Sequence, residues 1–110
     1  MQSGISKMQR EISAADLATI LALVRGRTLA EAGSRVGINA STVFRVVQRL
    51  EQTLGQRLFE RSREGYRATD LASRLAVHAE TIETEMARAR STFAAPAAAL
   101  TGSVRISAVD

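Results

Sequence analysis

The sequence has 110 residues, a formal net charge of +4 and no cysteine. Its length suits one small domain with an appendage, and the lack of cysteine excludes a disulfide framework and a thiolate metal site. No apolar run approaches the ~18 residues of a membrane-spanning helix, and residues 1–12 lack the apolar segment of a secretory signal. We therefore expect a cytoplasmic protein without membrane contact.

The positive charge is concentrated in the front half of the chain. Between Arg25 and Arg67, nine arginines stand against four acidic residues. Between Thr69 and Phe93, three arginines stand against four acidic residues. An arginine-rich surface of this kind indicates a polyanionic partner for the front half. Charge alone is equally compatible with an ordinary solvated surface.

The first predicted helix follows a polar N-terminal extension over residues 1–12, to which we assign no function. It begins at Ser13, because Ser13 and Asp16 have the spacing of a variant capping box. Apolar residues then recur at the spacing of one buried helix face: Leu17, Ile20, Leu21 and Val24.

Residues 28–50 predict two short helices joined by a tight turn. Thr28 and Glu31 have the capping-box spacing at the start of the first of these helices. Gly37 supplies a residue that can adopt the left-handed conformation and end that helix. Asn39 is a good N-cap for the next helix. The pattern is that of a helix-turn-helix over about residues 29–48.

The second helix of this motif is predicted over about residues 40–52 and is amphipathic. Its buried face consists of Val43, Val46, Val47 and Leu50. Its other face is polar and basic and consists of Ser41, Thr42, Arg45, Gln48 and Arg49. A short helix with such an outer face is suited to lie in the major groove of DNA.

Gly55 interrupts this helix, and a short two-stranded hairpin is predicted over about residues 57–68. Apolar residues there flank a turn-like cluster at residues 62–65. Three helices followed by a hairpin form a winged helix-turn-helix over residues 13–69, with the hairpin as the wing. The fold class is therefore mainly α.

A long helix is predicted over residues 70–93, with Thr69 as its cap and Asp70 at its positive end. Its seam has nearly heptad spacing: Leu71, Leu75, His78, Ile82, Met86, Ala89 and Phe93. Nothing else in the chain remains to cover a helix of about 34 Å. We therefore expect it to pair with the same helix of a second chain. The alternative is that the seam packs on the chain's own domain.

Residues 94–110 predict a hinge and one strand. Pro96 should end the long helix, and residues 103–109 alternate as a strand does. A lone strand is not stable by itself, so we expect a second domain that is truncated here. His78 is the only histidine, and without a second ligand nearby we expect neither a metal site nor an enzyme.

The chain resembles the N-terminal DNA-binding segment of LysR-type bacterial transcriptional regulators from about Ser13 to Ala108. The most specific pattern is "RLE…LG..LF.R", present here as Arg49-Leu50-Glu51, Leu54-Gly55, Leu58-Phe59 and Arg61. The resemblance implies a homodimer, joined by linker helices, on an inverted-repeat site in double-stranded promoter DNA. It also implies tetramers in the full-length protein. A C-terminal domain would bind a small-molecule coinducer, and this segment would need no cofactor.

The resemblance also indicates which residues contact DNA. The family's recognition helix commonly opens Ser-Gln-Pro-Ala-Val-Ser-Arg, and residues 39–45 here are NASTVFR. Arg45 is retained, whereas Ala40 and Phe44 depart from the pattern and leave the operator sequence open. The complete set of candidates is Thr28, Ala40, Ser41, Thr42, Phe44, Arg45, Gln48, Arg49, Arg61, Arg63 and Arg67.

Several candidates have alternative roles. Phe44 either is exposed and packs on a sugar or a thymine methyl, or belongs to the core. Arg63 either enters a minor groove from the wing or is a mobile surface residue. Arg61 binds a phosphate or pairs with Glu51 or Glu60. The alternative function for the whole module is protein docking or RNA binding.

Overall fold

The computed structural model describes residues 12–94. Within this range the elements are α1 Ala14–Gly26, α2 Leu29–Val36, α3 Ala40–Leu54, β1 Phe59–Ser62, β2 Gly65–Ala68 and α4 Asp70–Ala94. The predicted mainly helical winged helix-turn-helix with a long following helix is confirmed. No helix in this range has both the length and the apolar character needed to cross a membrane. The strand predicted at 103–109 and most of the N-terminal extension lie outside the described residues.

Capping interactions fix the starts of α1 and α2. The Ser13 hydroxyl accepts the Asp16 N–H at 3.1 Å, and the Asp16 carboxylate accepts the Ser13 N–H at 3.0 Å. This completes the predicted capping box. The Thr28 hydroxyl likewise accepts the Glu31 N–H at 3.1 Å. The Glu31 carboxylate instead pairs with Arg35 at 3.4 Å, so only half of the second capping box forms.

The turn between α2 and α3 depends on two glycines. Gly37 adopts a φ of +79° at the end of α2, and its N–H donates to the Gly33 carbonyl at 2.7 Å. Gly33 is buried, and a Cβ there would overlap the carbonyl oxygen of Ile38. The absence of a side chain at Gly33 therefore lets the turn lie directly against α2.

The core lies between α1, α3 and the start of the wing. Its largest fully buried side chains are Ile20, Leu23, Val43, Leu50 and Leu58. Ile20, Val43 and Leu50 fall on the predicted apolar faces of α1 and α3. Leu23 of α1 is not among the residues predicted to be buried, and Leu58 lies just before the wing. The helix α3 is therefore anchored through its inner face, and its outer face is exposed to solvent.

The wing is an antiparallel hairpin with Phe59 opposite Ala68, and hydrogen bonds fix both ends of it to the helices. The Glu51 carboxylate accepts the N–H groups of Leu58 at 2.7 Å and Phe59 at 3.2 Å. At the other strand, the Tyr66 N–H donates to the Arg27 carbonyl at 2.6 Å. The wing is thus held at a fixed position beside α3.

The first part of α4 packs on α1. Three small side chains face inward and are buried: Ala72, Ala76 and Ala79. The expectation that nothing in the chain covers α4 is therefore wrong for this part, because alanines let the two helices approach closely. Leu71 and Leu75 of the predicted seam are half-buried against the core. This agrees with the alternative that the seam packs on the chain's own domain. From Glu80 onward, every described residue of α4 is exposed.

An ion pair supports the contact between α1 and α4. The Arg25 guanidinium donates to both carboxylate oxygens of Glu83, each at 3.2 Å, and lies 3.5 Å from Glu80. The hydrogen bonds to Glu83 raise the pKa of the Arg25 guanidinium. Because all three side chains are well exposed, the pair orients α4 more than it stabilises the fold.

Candidate nucleic-acid interface

The outer face of α3 is the most strongly patterned exposed surface of the helix-turn-helix. Val43, Val47 and Leu50 face inward and are buried. The exposed residues predicted to contact DNA on this helix are Ser41, Phe44, Arg45, Gln48 and Arg49. Ala40 and Thr42, in the first turn, are half-buried. The structure therefore brings all the α3 candidates to the first three turns of one helix.

Asn39 organises the first turn of this face. Its side-chain oxygen accepts the Thr42 N–H as a helix cap, and also the hydroxyls of Ser41 and Thr42, each at 2.9 Å. The Arg45 guanidinium donates to the Thr42 hydroxyl at 3.3 Å. The Thr42 oxygen thus already accepts a hydrogen bond from Arg45, whereas the exposed Ser41 hydroxyl, which donates to Asn39, keeps the capacity to accept one. An acceptor at Ser41 suits the amino groups of adenine or cytosine in a major groove.

Arg49 has a partner inside the domain. Its guanidinium donates to the Asp16 carboxylate at 2.7 Å, and the Asp16 side chain is only 11% exposed. The Arg49 side chain is 50% exposed, so one side of it faces solvent. A DNA contact by Arg49 stays a prediction, and Arg49 would have to share its guanidinium with Asp16.

Phe44 is 41% exposed, which agrees with the exposed alternative and not with the core alternative. It borders a cleft of about 380 Å³ between α3 and the wing, together with Gln48, Arg61 and Tyr66. The cleft places recognition-helix and wing residues side by side.

The wing arginines do not pair as predicted. The Arg61 guanidinium lies 5.5 Å from the centre of the Tyr66 ring, in a cation–π contact. Among the described residues, the alternative in which Arg61 pairs with Glu51 or Glu60 is not what forms: Glu51 accepts backbone N–H groups and Glu60 lies 3.8 Å from Arg67. Stacking on Tyr66 holds the Arg61 side chain at the edge of the cleft.

Two further candidates lie at exposed ends of elements. Arg63 is exposed in the two-residue turn of the wing, which the Ser62 hydroxyl tightens by donating to the Gly65 carbonyl at 2.8 Å. Thr28 is exposed, and its hydroxyl is already used as the cap of α2. Contacts of Arg63, Arg67 and Thr28 with DNA stay predictions.

His78 is exposed on α4. Among residues 12–94, no group of three or more His, Cys, Asp or Glu side chains is arranged to hold a metal ion.

The three helices, the tight turn and the wing define a winged helix-turn-helix protein. The family model described as bacterial regulatory helix-turn-helix protein, lysR family, matches residues 14–73. The chain belongs to this family. The predicted family resemblance is therefore confirmed.

Solved structures of regulators are similar to the chain. The DNA-binding domain of CbnR in complex with DNA is 26% identical, with a TM-score of 0.62, and the match covers 78% of this chain and 99% of that chain. A probable transcriptional regulator from Pseudomonas aeruginosa is 26% identical, with a TM-score of 0.68 and coverage of 76% and 28%. The search of curated proteins gave no match.

Full-length LysG from Corynebacterium glutamicum with bound effector Arg is 21% identical, with a TM-score of 0.68, and the match covers 81% of this chain and 30% of that chain. At this identity the likeness shows the fold alone. The matched region spans about 30% of the full-length regulator.

Proposed function

We propose that the chain binds double-stranded promoter DNA in a sequence-specific manner, as the DNA-reading segment of a LysR-type transcriptional regulator. The observation that carries the proposal is the arrangement of the N-cap and the first two turns of α3. Arg45, Thr42 and Asn39 form one chain of hydrogen bonds on the exposed side of a helix whose other side is buried. Base edges in a major groove are usually reached from this part of a recognition helix.

Arginines around α3 supply the attraction to phosphates. Arg61 and Arg63 on the wing and Arg45 on α3 are exposed, and Arg61 borders the same cleft as the α3 residue Gln48. Phosphate contacts of this kind position a protein on the duplex, and base contacts determine the sequence. Arg45 can pair with guanine through two hydrogen bonds, and we expect Arg63, exposed at the tip of the wing, to enter the adjacent minor groove.

The exposed end of α4 supports a homodimer. Ile82, Met86 and Phe93 are 37%, 48% and 70% exposed, and Ile82 and Met86 line a groove between α1 and α4 with Leu21. We infer that α4 of a second copy covers this groove. The two recognition helices then read an inverted repeat in successive major grooves, in the bacterial cytoplasm.

The chain itself needs no cofactor for this function. The matched full-length regulators are longer, and a structure of one of them contains a bound effector. We infer that the protein to which this segment belongs has a C-terminal effector-binding domain that takes a small-molecule coinducer and supports tetramers. The coinducer would act on the DNA-reading segment through α4.

The test is selection of bound sequences from random duplex DNA with the 110-residue chain. Affinity for the selected operator is then compared with affinity for a scrambled duplex over a range of salt concentrations. We expect operator affinity at least about 10³-fold higher than scrambled affinity and a steep loss with added salt. Equal affinity for both duplexes would contradict sequence-specific binding. A preference for RNA, or no nucleic-acid binding, would support the alternative of an RNA-binding or protein-docking module.

A further inference from the structure

Phe44 is a large apolar side chain on an otherwise polar surface. Its neighbour Val43 is fully buried and Val47 is nearly so, and with Leu50 they fill the inner face of α3. Phe44 is 41% exposed beside Arg45 and Gln48. The core therefore does not account for an aromatic side chain at this position.

Ala40 lies one turn before Phe44, at the i and i+4 spacing that places two side chains on the same line of a helix. Neither side chain can donate or accept a hydrogen bond. Together they form an apolar edge along α3, and Phe44 at one end of this edge borders the cleft with Tyr66. The polar chain of Asn39, Thr42 and Arg45 runs beside this edge.

The major groove offers one apolar group on its base edges, the 5-methyl group of thymine, and phenylalanine and alanine are among the residues that contact it. We propose that Phe44 is a specificity-determining residue that packs on the 5-methyl group of one thymine in each half-site, with Ala40 extending the apolar surface. The inference rests on the proposed function, because it requires that α3 lie in the major groove.

The test uses the operator obtained by selection from random duplexes. Each thymine of a half-site is replaced in turn by deoxyuridine, which removes the 5-methyl group and keeps every hydrogen-bonding group of the base. At one thymine, deoxyuridine should weaken binding of the unaltered chain about fourfold per half-site, the value for one apolar carbon removed from water. The other thymines of the half-site should be much less sensitive.

Two substitutions connect this sensitivity to Phe44. Phe44→Ser should bind the thymine and deoxyuridine operators equally, whereas Phe44→Leu, which stays apolar, should keep most of the difference. Thr53→Ala is the matched control, because Thr53 is exposed on the last turn of α3, and it should keep the full difference. Circular dichroism and thermal melting of each variant verify that it is folded.

Three results would overturn the inference, and they are distinguishable. Operator binding that is insensitive to deoxyuridine at every position would overturn it and leave the proposed function standing. If Phe44→Ser loses affinity equally for both operators, the difference between thymine and deoxyuridine persists without the phenylalanine. That result would show that Phe44 packs on a sugar or on the cleft instead of on the methyl group. A selection that enriches no sequence would overturn the proposed function and this inference together.

Discussion

The Arg49 guanidinium donates to the Asp16 carboxylate at 2.7 Å and so joins the recognition helix to the first turn of α1. Asp16 also accepts the Ser13 N–H, so the same carboxylate caps α1 and orients α3. The two residues are 33 positions apart in the sequence. The orientation of α3 therefore depends on an ion pair between a residue of its outer face, Arg49, and the first turn of α1.

Arg49→Ala should reduce the free energy of unfolding by about 1–2 kcal/mol, because it leaves a largely buried carboxylate without its charged partner. Urea denaturation measures the change. Arg74→Ala is the matched control, since Arg74 pairs with Asp70 in an exposed i,i+4 pair and should change stability by less than about 0.5 kcal/mol. A similar loss of unfolding free energy in both variants would mean that the Arg49–Asp16 pair stabilises the fold no more than an exposed pair does.

Gly33→Ala should strongly destabilise the helix-turn-helix. The added methyl group would overlap the Ile38 carbonyl oxygen, and a backbone atom in a tight turn cannot move aside as a flexible side chain can. We expect a loss of about 2–3 kcal/mol or more in thermal or urea unfolding. Ser34→Ala, at an exposed position of the same helix, should stay within about 0.5 kcal/mol. Equal stability of the two variants would contradict the close approach at the turn.

The sequence predicts those parts of the fold that depend on local patterns. Ser13, Asn39 and Gly37 cap helices as their chemistry requires. The apolar faces of α1 and α3 follow from helical spacing. These features need only a few neighbouring residues, so a single sequence contains the signal for them.

The remaining features depend on residues far apart in the chain. The contact of α4 with α1 is made by alanines such as Ala76, which a search for large apolar side chains passes over. Arg61 stacks on Tyr66 and leaves Glu60 to Arg67, a choice set by the register of the hairpin. Several pairings were possible for each charge, and the pairing is decided only when the elements are packed.

Arg45→Ala should cost about 1–3 kcal/mol of binding to the selected operator and much less to a scrambled duplex. The reason is that Arg45 is exposed in the second turn of α3 and is oriented by the Thr42 hydroxyl. Fluorescence anisotropy with both duplexes measures the two affinities. Arg88→Ala, far along α4 and paired with Glu85 three residues away, is the control for lost charge. An equal loss on both duplexes would make Arg45 a phosphate contact, and unchanged operator affinity would refute the proposed docking of α3.

Ile82→Glu combined with Met86→Glu should convert the expected dimer into monomers, because both side chains are exposed and line the groove between α1 and α4. Leu75 is a poorer site for this test, since it is half-buried against the chain's own core and a charge there would also unfold the domain. Sedimentation velocity gives the mass of each species. Operator affinity should fall while binding to a single half-site is kept, because the two recognition helices are no longer linked.

Val77→Glu is the matched control for this pair. Val77 is an apolar residue of the same helix, 59% exposed, and it does not line the groove that contains Ile82 and Met86. A charge at Val77 should therefore leave the dimer intact. Glutamates at positions 82 and 86 would instead bring like charges together across a symmetric interface and so separate the two copies. If the Ile82 and Met86 variant still sediments as a dimer, or if the unaltered chain is a monomer, the interface does not lie in this groove.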